Sequence, residues 1–350
     1  LFPYTTLFRS GSPGEWRRAG MLALLLCAPV ALALLAFALV VVPMPGDSYE
    51  GSVAPTAPDL ARAARMRAVV HSLAEDIGQR DAFNYEGLAR AEADLRARFE
   101  ALGYVVREQR FQVSGTSVAN LEVERIGRAQ PAAIVVVGAH YDTAPGTRGA
   151  NDNASGVAAL LELAAEFARR TPDRTIRFVA FVNEEPPFFD THEMGSAMCA
   201  AAAAARGDDI VGMMALETLG CYLPQRGSQQ YPPPFGFFYP DRGDFIAFVG
   251  NVASRPFVRW SVGKFRETGR VPSQGAAAPG RMPGIFWSDH APFWDYDWPA
   301  LMVTDTAPFR YQHYHRWSDT PEQIDYHTMA VVVDGLIQVV EALATSGVRF

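Results

Sequence analysis

The run AAIVVVGAH, residues 132–140, sets an unbroken apolar stretch directly against an imidazole. A strand with one wet face alternates apolar and polar residues, whereas one that is apolar throughout has protein against both faces. This segment therefore belongs in the middle of a sheet covered on two sides. TIRFVAFVNEE (175–185), IVGMMALETLG (210–220) and PALMVTD (299–305) have the same character. Between and after them, ASGVAALLELAAEFARR, MGSAMCAAAAAARG and YHTMAVVVDGLIQVVEALA carry helical spacing or helix-favouring composition. Strands alternating with helices from Ile134 onward imply an α/β fold, a mostly parallel mixed central sheet with helices on both faces. Upstream, residues 60–78 and 85–103 read as helices, with Gly103 closing the second, and 105–113 and 119–126 read as strands. The stretch 222–283, rich in Pro, Gly and aromatics, is expected to form loops over the sheet edge.

The N-terminal part is organised differently. LFPYTTLFRS, residues 1–10, matches the translation of a common sequencing-adapter string and is set aside from fold reasoning, so residues 1–20 are taken as an adapter-like stretch and cytoplasmic flank. From Met21 come about 22 uncharged residues, enough to cross a bilayer at 1.5 Å per residue. A cleaved signal peptide is the competing reading, but its apolar core is usually shorter. Arg17 and Arg18 precede the run while Asp47 and Glu50 follow it. The positive-inside rule then makes residues 21–43 a transmembrane anchor in contact with the lipid bilayer. The expected location is the inner (cytoplasmic) membrane, single-pass, with the bulk of the chain periplasmic or extracellular. Residues 44–57 read as a Pro/Gly/Ser linker and 58–350 as the folded domain.

Composition narrows the function. A net charge of −7 over 350 residues offers no basic face for nucleic acid. Lys264 is the single lysine, so Schiff-base chemistry has one poorly placed candidate. Cys27, Cys199 and Cys221 are too few for a disulfide framework or a cysteine-ligated zinc, although Cys199 and Cys221 could pair.

In open α/β sheets ligands bind at the carboxyl ends of the strands. There the first strand delivers His140 and Asp142, with Asp152 in the following loop, the next ends in Glu184-Glu185, and the third ends in Glu217. Tyr314-His315 follows the last strand. Carboxylates crowded on one rim repel unless cations neutralise them. Two imidazoles with several carboxylates form a nitrogen and oxygen donor set suited to zinc, with manganese or cobalt also compatible, and one carboxylate can bridge two ions.

The ordered motifs GAHYDT…GANDNASG, VNEE, LETLG, SDHAPF and YHRWSDTPEQID resemble the co-catalytic zinc aminopeptidase family, over roughly residues 60–345. That family also embraces glutamate carboxypeptidases, with glutaminyl cyclases and transferrin-receptor ectodomains as relatives. The resemblance implies a zinc exopeptidase fold, two Zn2+ ions per chain and peptide substrates. Carried over by position, His140 and Glu217 would hold one metal, Glu185 and His315 the other, and Asp152 would bridge them. Glu184 would be the general base, Asp142 would orient His140, and Tyr314 would stabilise the oxyanion. A cis peptide at Asp152-Asn153 is also implied. The sequence departs from the family at Glu217, where Asp is commoner, and in PPFFDTHEM (186–194), a longer link whose His192 and Glu193 are expected to be solvated. The expected activity is an aminopeptidase. A glutamate-type carboxypeptidase, a glutaminyl cyclase and a catalytically dead scaffold are the alternatives.

Among the remaining candidates, Asp289 and His290 are expected to line the site, and Asp319 to cap the C-terminal helix rather than orient the loop before it. His71, His313 and His327 read as structural residues.

Overall fold

The computed structural model describes residues 13–267 and 269–350, so the adapter-like stretch lies outside the described residues. The chain divides into two compact units after Pro43. In the first, one helix, α1, runs Pro13–Val40. Its C-terminal part, Cys27–Val40, is apolar but shorter than a membrane span.

In the second unit, four strands, two on each side, flank a parallel core. The strands are β1 (Arg107–Val113), β2 (Thr116–Arg125), β3 (Gln130–His140), β4 (Arg174–Phe181), β5 (Asp209–Glu217), β6 (Ile246–Asn251), β7 (Ser273–Ala278) and β8 (Ala300–Thr304). They form one sheet of eight strands in the order β1-β2-β4-β3-β5-β8-β6-β7. The central strands β4, β3, β5 and β8 are mutually parallel. β1 and β2 close one side as an antiparallel hairpin, and β6 joins β8 antiparallel on the other. This is the mixed, mostly parallel sheet expected from the apolar runs.

The remaining helices are α2 (Ala57–His71), α3 (Tyr85–Ala101), α4 (Gly156–Ala168), α5 (Gly195–Arg206), α6 (Arg255–Arg266) and α7 (Tyr326–Thr345). Side chains alternate across β3, so Val135, Val137 and Ala139 enter the large core with α2, α4 and α7, while Ile134 and Val136 pack with Cys199, Ala200 and Ala203 of α5. Both faces of the strand are thereby dry, which is why its sequence shows no alternation. Among the described residues α7 alone is long and apolar enough to cross a membrane, yet 72% of its apolar window is buried within this fold. It is the core helix of the domain. Cys199 and Cys221 are buried free thiols.

The expectation of loops across 222–283 is corrected. That stretch contains β6, α6 and β7, a βαβ unit that forms the far sheet edge. β7 reads SQGAAA, short and without β-branched residues, and only its pairing to β6 makes it a strand. The segment following Pro43 is fastened to this unit. Arg266 donates to the carbonyl oxygens of Pro45 (3.1 Å) and Gly46 (2.6 Å), and Ser273 N donates to Ser48 Oγ at 2.9 Å.

Topology places the site. The chain leaves β3 to form β4 on one side, then crosses to form β5 on the other, so the carboxyl end of β3 is the switch point at which a crevice opens. His140 stands there. Two residues earlier, an added Cβ at Gly138 would lie 2.1 Å from Cε2 of Phe181. Gly138→Ala should therefore lower stability by about 1–3 kcal/mol through overpacking. Urea unfolding of the variant should give a lower midpoint at unchanged slope.

Candidate metal centre

The loop after β3 returns toward the sheet through Asn151-Asp152-Asn153, and each amide side chain has a structural task. Asn153 donates to Leu216 O (2.8 Å) and accepts from Gly156 N and Thr218 N. Asn151 donates to Asp305 Oδ2 (2.9 Å) and accepts from Gly220 N. The two asparagines bolt the turn to the end of β5 and to the residue after β8. Asp152 between them is left to face the crevice. The Asp152-Asn153 peptide is cis, as the family resemblance implied. Gly149 enters the turn at φ +60°, where a Cβ would meet Thr143 Cγ2 at 2.3 Å, so glycine is required.

Asp319 is not the cap of α7, correcting that expectation. Asp325 holds that position, accepting from Thr328 N at 3.0 Å. Asp319 is buried and accepts from Asn151 N (2.8 Å), Asp152 N (3.0 Å) and the Tyr311 hydroxyl (2.7 Å). A carboxylate satisfies several adjacent donors of an irregular turn, which a hydrophilic loop position in sequence does not reveal.

Asp142 ties together two strand ends. Its carboxylate oxygens accept from Glu184 N and Glu185 N, each at 3.1 Å. The His140 ring Nδ1 lies 3.2 Å from the backbone oxygen of Asp142 and 3.4 Å from its Oδ1. Asp142 thus orients the backbone of Glu184-Glu185 as well as bordering the imidazole.

The other face of His140 meets the donors. Its Nε2 lies 3.3 Å from Asp152 Oδ1, 3.2 Å from Glu217 Oε2 and 3.8 Å from Glu184 Oε2. On the far side of Asp152, Oδ2 lies 3.0 Å from His315 Nε2, which is itself 3.3 Å from Glu185 Oε1. Asp152 stands between two clusters, with one oxygen toward each. His140, Asp152 and Glu217 have ligand atoms within 4.8 Å of one another, as do Asp152, Glu185 and His315. The structure brings all five together. Tyr314 stacks on His315 with ring centroids 3.9 Å apart.

The protein alone leaves this arrangement incomplete. His140 Nε2, both carboxylate oxygens of Asp152 and Glu185 Oε1 are buried without a hydrogen-bond partner. Buried polar atoms are nearly always paired, and a divalent cation on each side of Asp152 would satisfy all four. The electrostatics agree. Burial and the neighbouring Glu217, Glu185 and Asp289 push Glu184 well above the carboxylate range, against the opposing pull of His140. Burial with Asp152 pushes Glu185 up to about 7. Burial works against charge on His315, but Asp152 and Glu185 outweigh it and hold the imidazole at about 10. Without a cation the cluster must hold protons in its place; divalent ions remove that need.

Sequence reading missed two supports. Ser288 donates to Glu217 Oε2 at 2.8 Å; it lies in the quoted SDHAPF motif, but nothing there points to Glu217. Arg80 is fully buried and its guanidinium donates to backbone oxygens, among them Tyr141 (2.7 Å), Arg148 (2.7 Å) and Gly149 (2.8 Å). It holds the loop from His140 to Asp152, and burial lowers its pKa to about 10 against the raising effect of Asp142, Asp319 and Asp152. No local pattern marks that role.

Asp289 is fully buried beside the cluster, and burial, with Glu217 and Asp142 adding to it against His140 and Ser196, raises its carboxyl to about 7. His290 turns away, its Nε2 2.8 Å from Ile285 O and its ring edge-on to Trp294, correcting its expected place at the site. The 186–194 link folds against residues 281–286, with Asp190 3.0 Å from Arg281 and the rings of Phe189 and Phe286 6.2 Å apart. His192 is exposed.

A mixed α/β sheet carrying an imidazole and carboxylate cage at its switch point presents a donor set suited to divalent metal ions. Residues 120–340 match the model of peptidase family M28, and the chain belongs to that family. It is 38% identical over 292 residues to the Escherichia coli K12 protein YfbL, described as uncharacterized, covering 81% of this chain and 89% of that protein. A zinc aminopeptidase from Bacillus subtilis has the same fold, with a TM-score of 0.66 at 15% identity, over 81% of this chain and 95% of the other. A glutaminyl cyclase from Fimbriiglobus ruber superposes with a TM-score of 0.60 at 22% identity, over 84% and 97% of the two chains.

Asp319→Ala should weaken metal binding by about 10–100-fold, because it frees the backbone that presents Asp152 without touching a ligand atom. Chelator-competition titration against the parent protein measures it.

Proposed function

We propose that this chain is a membrane-anchored di-zinc aminopeptidase, with His140 and Glu217 on one ion, Glu185 and His315 on the other, and Asp152 shared. The observation that carries the reading is the placement of Asp152, with one oxygen 3.3 Å from His140 and the other 3.0 Å from His315. Zinc bound there would act as a Lewis acid toward the scissile carbonyl and bring a water's pKa toward neutrality.

The chain's own residues supply the rest. Glu184 is buried in a cluster of like charges that raises its proton affinity, so it can take a proton from the attacking water and pass it to the leaving amine. Asp142 fixes the base through the Glu184 backbone. Tyr314, stacked on His315, would donate its hydroxyl to the developing oxyanion. Buried carboxylates in excess of the ligand set offer a partner for a substrate α-ammonium group, which favours attack at the N-terminus.

A glutamate-type carboxypeptidase would need a cation for the substrate carboxylate. Among the described residues, none of the arginines borders the cavity that opens beside Glu217. Arg310 does not line that cavity; its Nη1 donates to Cys221 O, Gly243 O and Phe245 O and its Nε to Thr306 Oγ1, while Nη2 is buried without a hydrogen-bond partner. The uncharged run from Met21, held in α1, supports the membrane anchor; retention of the full chain in carbonate-washed membranes tests it.

Glu184→Gln should leave metal content unchanged and lower kcat by about 10² or more, the scale of a lost general base. Metal analysis and kinetics on an aminoacyl-nitroanilide check both halves. Chelation should abolish turnover, and titration with zinc should restore it at two equivalents per chain. Hydrolysis confined to N-blocked peptides, or ammonia release from N-terminal glutamine without cleavage, would replace this reading with the carboxypeptidase or cyclase alternative.

A further inference from the structure

The uncharged run that begins at Met21 continues to Gly46, and Asp47 is the first charged residue after it. Its last residues already belong to the folded domain. Met44 packs against the core, and a Cβ added at Gly275 of β7 would lie 2.7 Å from the Met44 sulfur. Pro45 lies beside α6, 3.5 Å from where a Cβ on Gly263 would stand. Arg266 and Ser273 hold Pro45, Gly46 and Ser48 in place by hydrogen bonds. Consecutive Cα atoms are only about 3.8 Å apart, so no slack chain separates the end of the run from β7.

Beside this exit lies YPPPFGFFYP, residues 231–240. The Tyr239 hydroxyl donates to Gly275 O at 2.7 Å, so this segment and Met44 meet at one residue of β7. The segment carries no charge. Tyr231 and Phe235 each lie 5.9 Å from Tyr239, ring centre to ring centre. Together with Pro232 these rings wall the cavity that opens beside Glu217, over a floor made by β8, β6 and β7. Phe237, by contrast, is 80% exposed, and Pro233 and Gly236 are exposed with it. A single exposed apolar residue is ordinary on any surface. Here the exposure falls on an uncharged aromatic and proline segment that shares a contact residue with the emerging chain. α6, beside the same exit, carries Arg255, Arg259, Lys264 and Arg266 and no acidic residue, in a chain of net charge −7. Glu267 follows it and pairs with Lys264 at 2.8 Å.

We infer that residues 231–240 rest on a phospholipid bilayer, with Phe237 entering its interfacial layer. The inference rests on the membrane-anchor reading and adds to it a second point of attachment. Aromatic rings favour the boundary between headgroups and acyl chains, and basic side chains are attracted to anionic lipid there. The anchor makes this second contact intramolecular, so a small apolar contact suffices to hold it. Because Met44 and Tyr239 are both fixed to Gly275, the two attachments lie on one sheet edge and set which face of the domain meets the membrane.

The test uses the full-length chain in a Cys27→Ser background, reconstituted in phosphatidylcholine vesicles containing phosphatidylglycerol. Cys199 and Cys221 are buried, which leaves an introduced cysteine as the labelling site. Phe237→Cys carries an environment-sensitive fluorophore. Val105→Cys, at a residue 83% exposed ahead of β1 on the opposite sheet edge, is the control. The label at 237 should shift its emission to the blue and lose most of it when nitroxide-bearing lipid is included, while the label at 105 should do neither. Pro233→Cys carries the same label if the first variant fails to fold, as judged by circular dichroism. Equal quenching at the two sites, in chain that stays with the vesicles through a carbonate wash, would overturn the inference and leave the anchor reading intact. A blue shift at 237 without lipid quenching would overturn it too, since another protein surface, such as a second copy of this chain, would then cover the segment. Loss of the chain from the vesicles in the wash would instead overturn the anchor reading, and this inference with it.

Discussion

Mutual repulsion among buried carboxylates is the constraint on which this structure turns. Asp142, Asp152, Glu184, Glu185, Glu217 and Asp289 are all withdrawn from water within one rim. Their negative charge is answered within the protein chiefly by two imidazoles, since Arg80 spends its donors on backbone oxygens. Such a cluster is tolerable only when protons or divalent cations neutralise it. The protein invests in holding the cluster open for cations: the carboxylates of Asp319 and Asp142 are spent on backbone N–H groups, and the amides of Asn151 and Asn153 on neighbouring strand ends. Those are the bonds that keep Asp152 between His140 and His315.

The fold supplies the rest by its topology. Parallel strands bring their carboxyl ends to one edge, and the reversal of direction at β3 opens a crevice there. Each ligand then needs to be only a residue or a short loop beyond a strand, where the backbone is anchored by the ladder. The same sheet, continued through β8, β6 and β7, provides the floor of the side cavity. The donor cage and the adjoining cavity are therefore built on one continuous sheet, whose hydrogen-bonded ladder fixes the spacing of the groups it carries.

How much of this could be read in advance depended on whether a residue's role was local. His140, Glu184, Glu185 and Glu217 stand where apolar runs stop, so both their placement in the chain and their common edge followed from periodicity. Asp152 and His315 were legible through the motif that contains them. Asp319 was misassigned because acceptors for a distant turn and acceptors for an adjacent helix look alike in one dimension. His290 was misplaced for a similar reason, since adjacency to Asp289 says nothing about which way a ring turns in an irregular segment. Arg80 and Ser288 were not found because their partners lie 61 and 71 residues away.

By itself, then, the sequence determined the layered α/β architecture, the edge on which chemistry would occur and the chemical kind of the ligand set, because these depend on patterns repeated along the chain. It did not determine the βαβ unit within residues 222–283. SQGAAA has no intrinsic claim to be a strand, and becomes one only against Ile246–Asn251. The tertiary structure alone decided that this edge would carry the aromatic cavity beside Glu217, because the row Gln274, Ala247, Thr304, Glu217 exists only through hydrogen bonds between strands far apart in sequence.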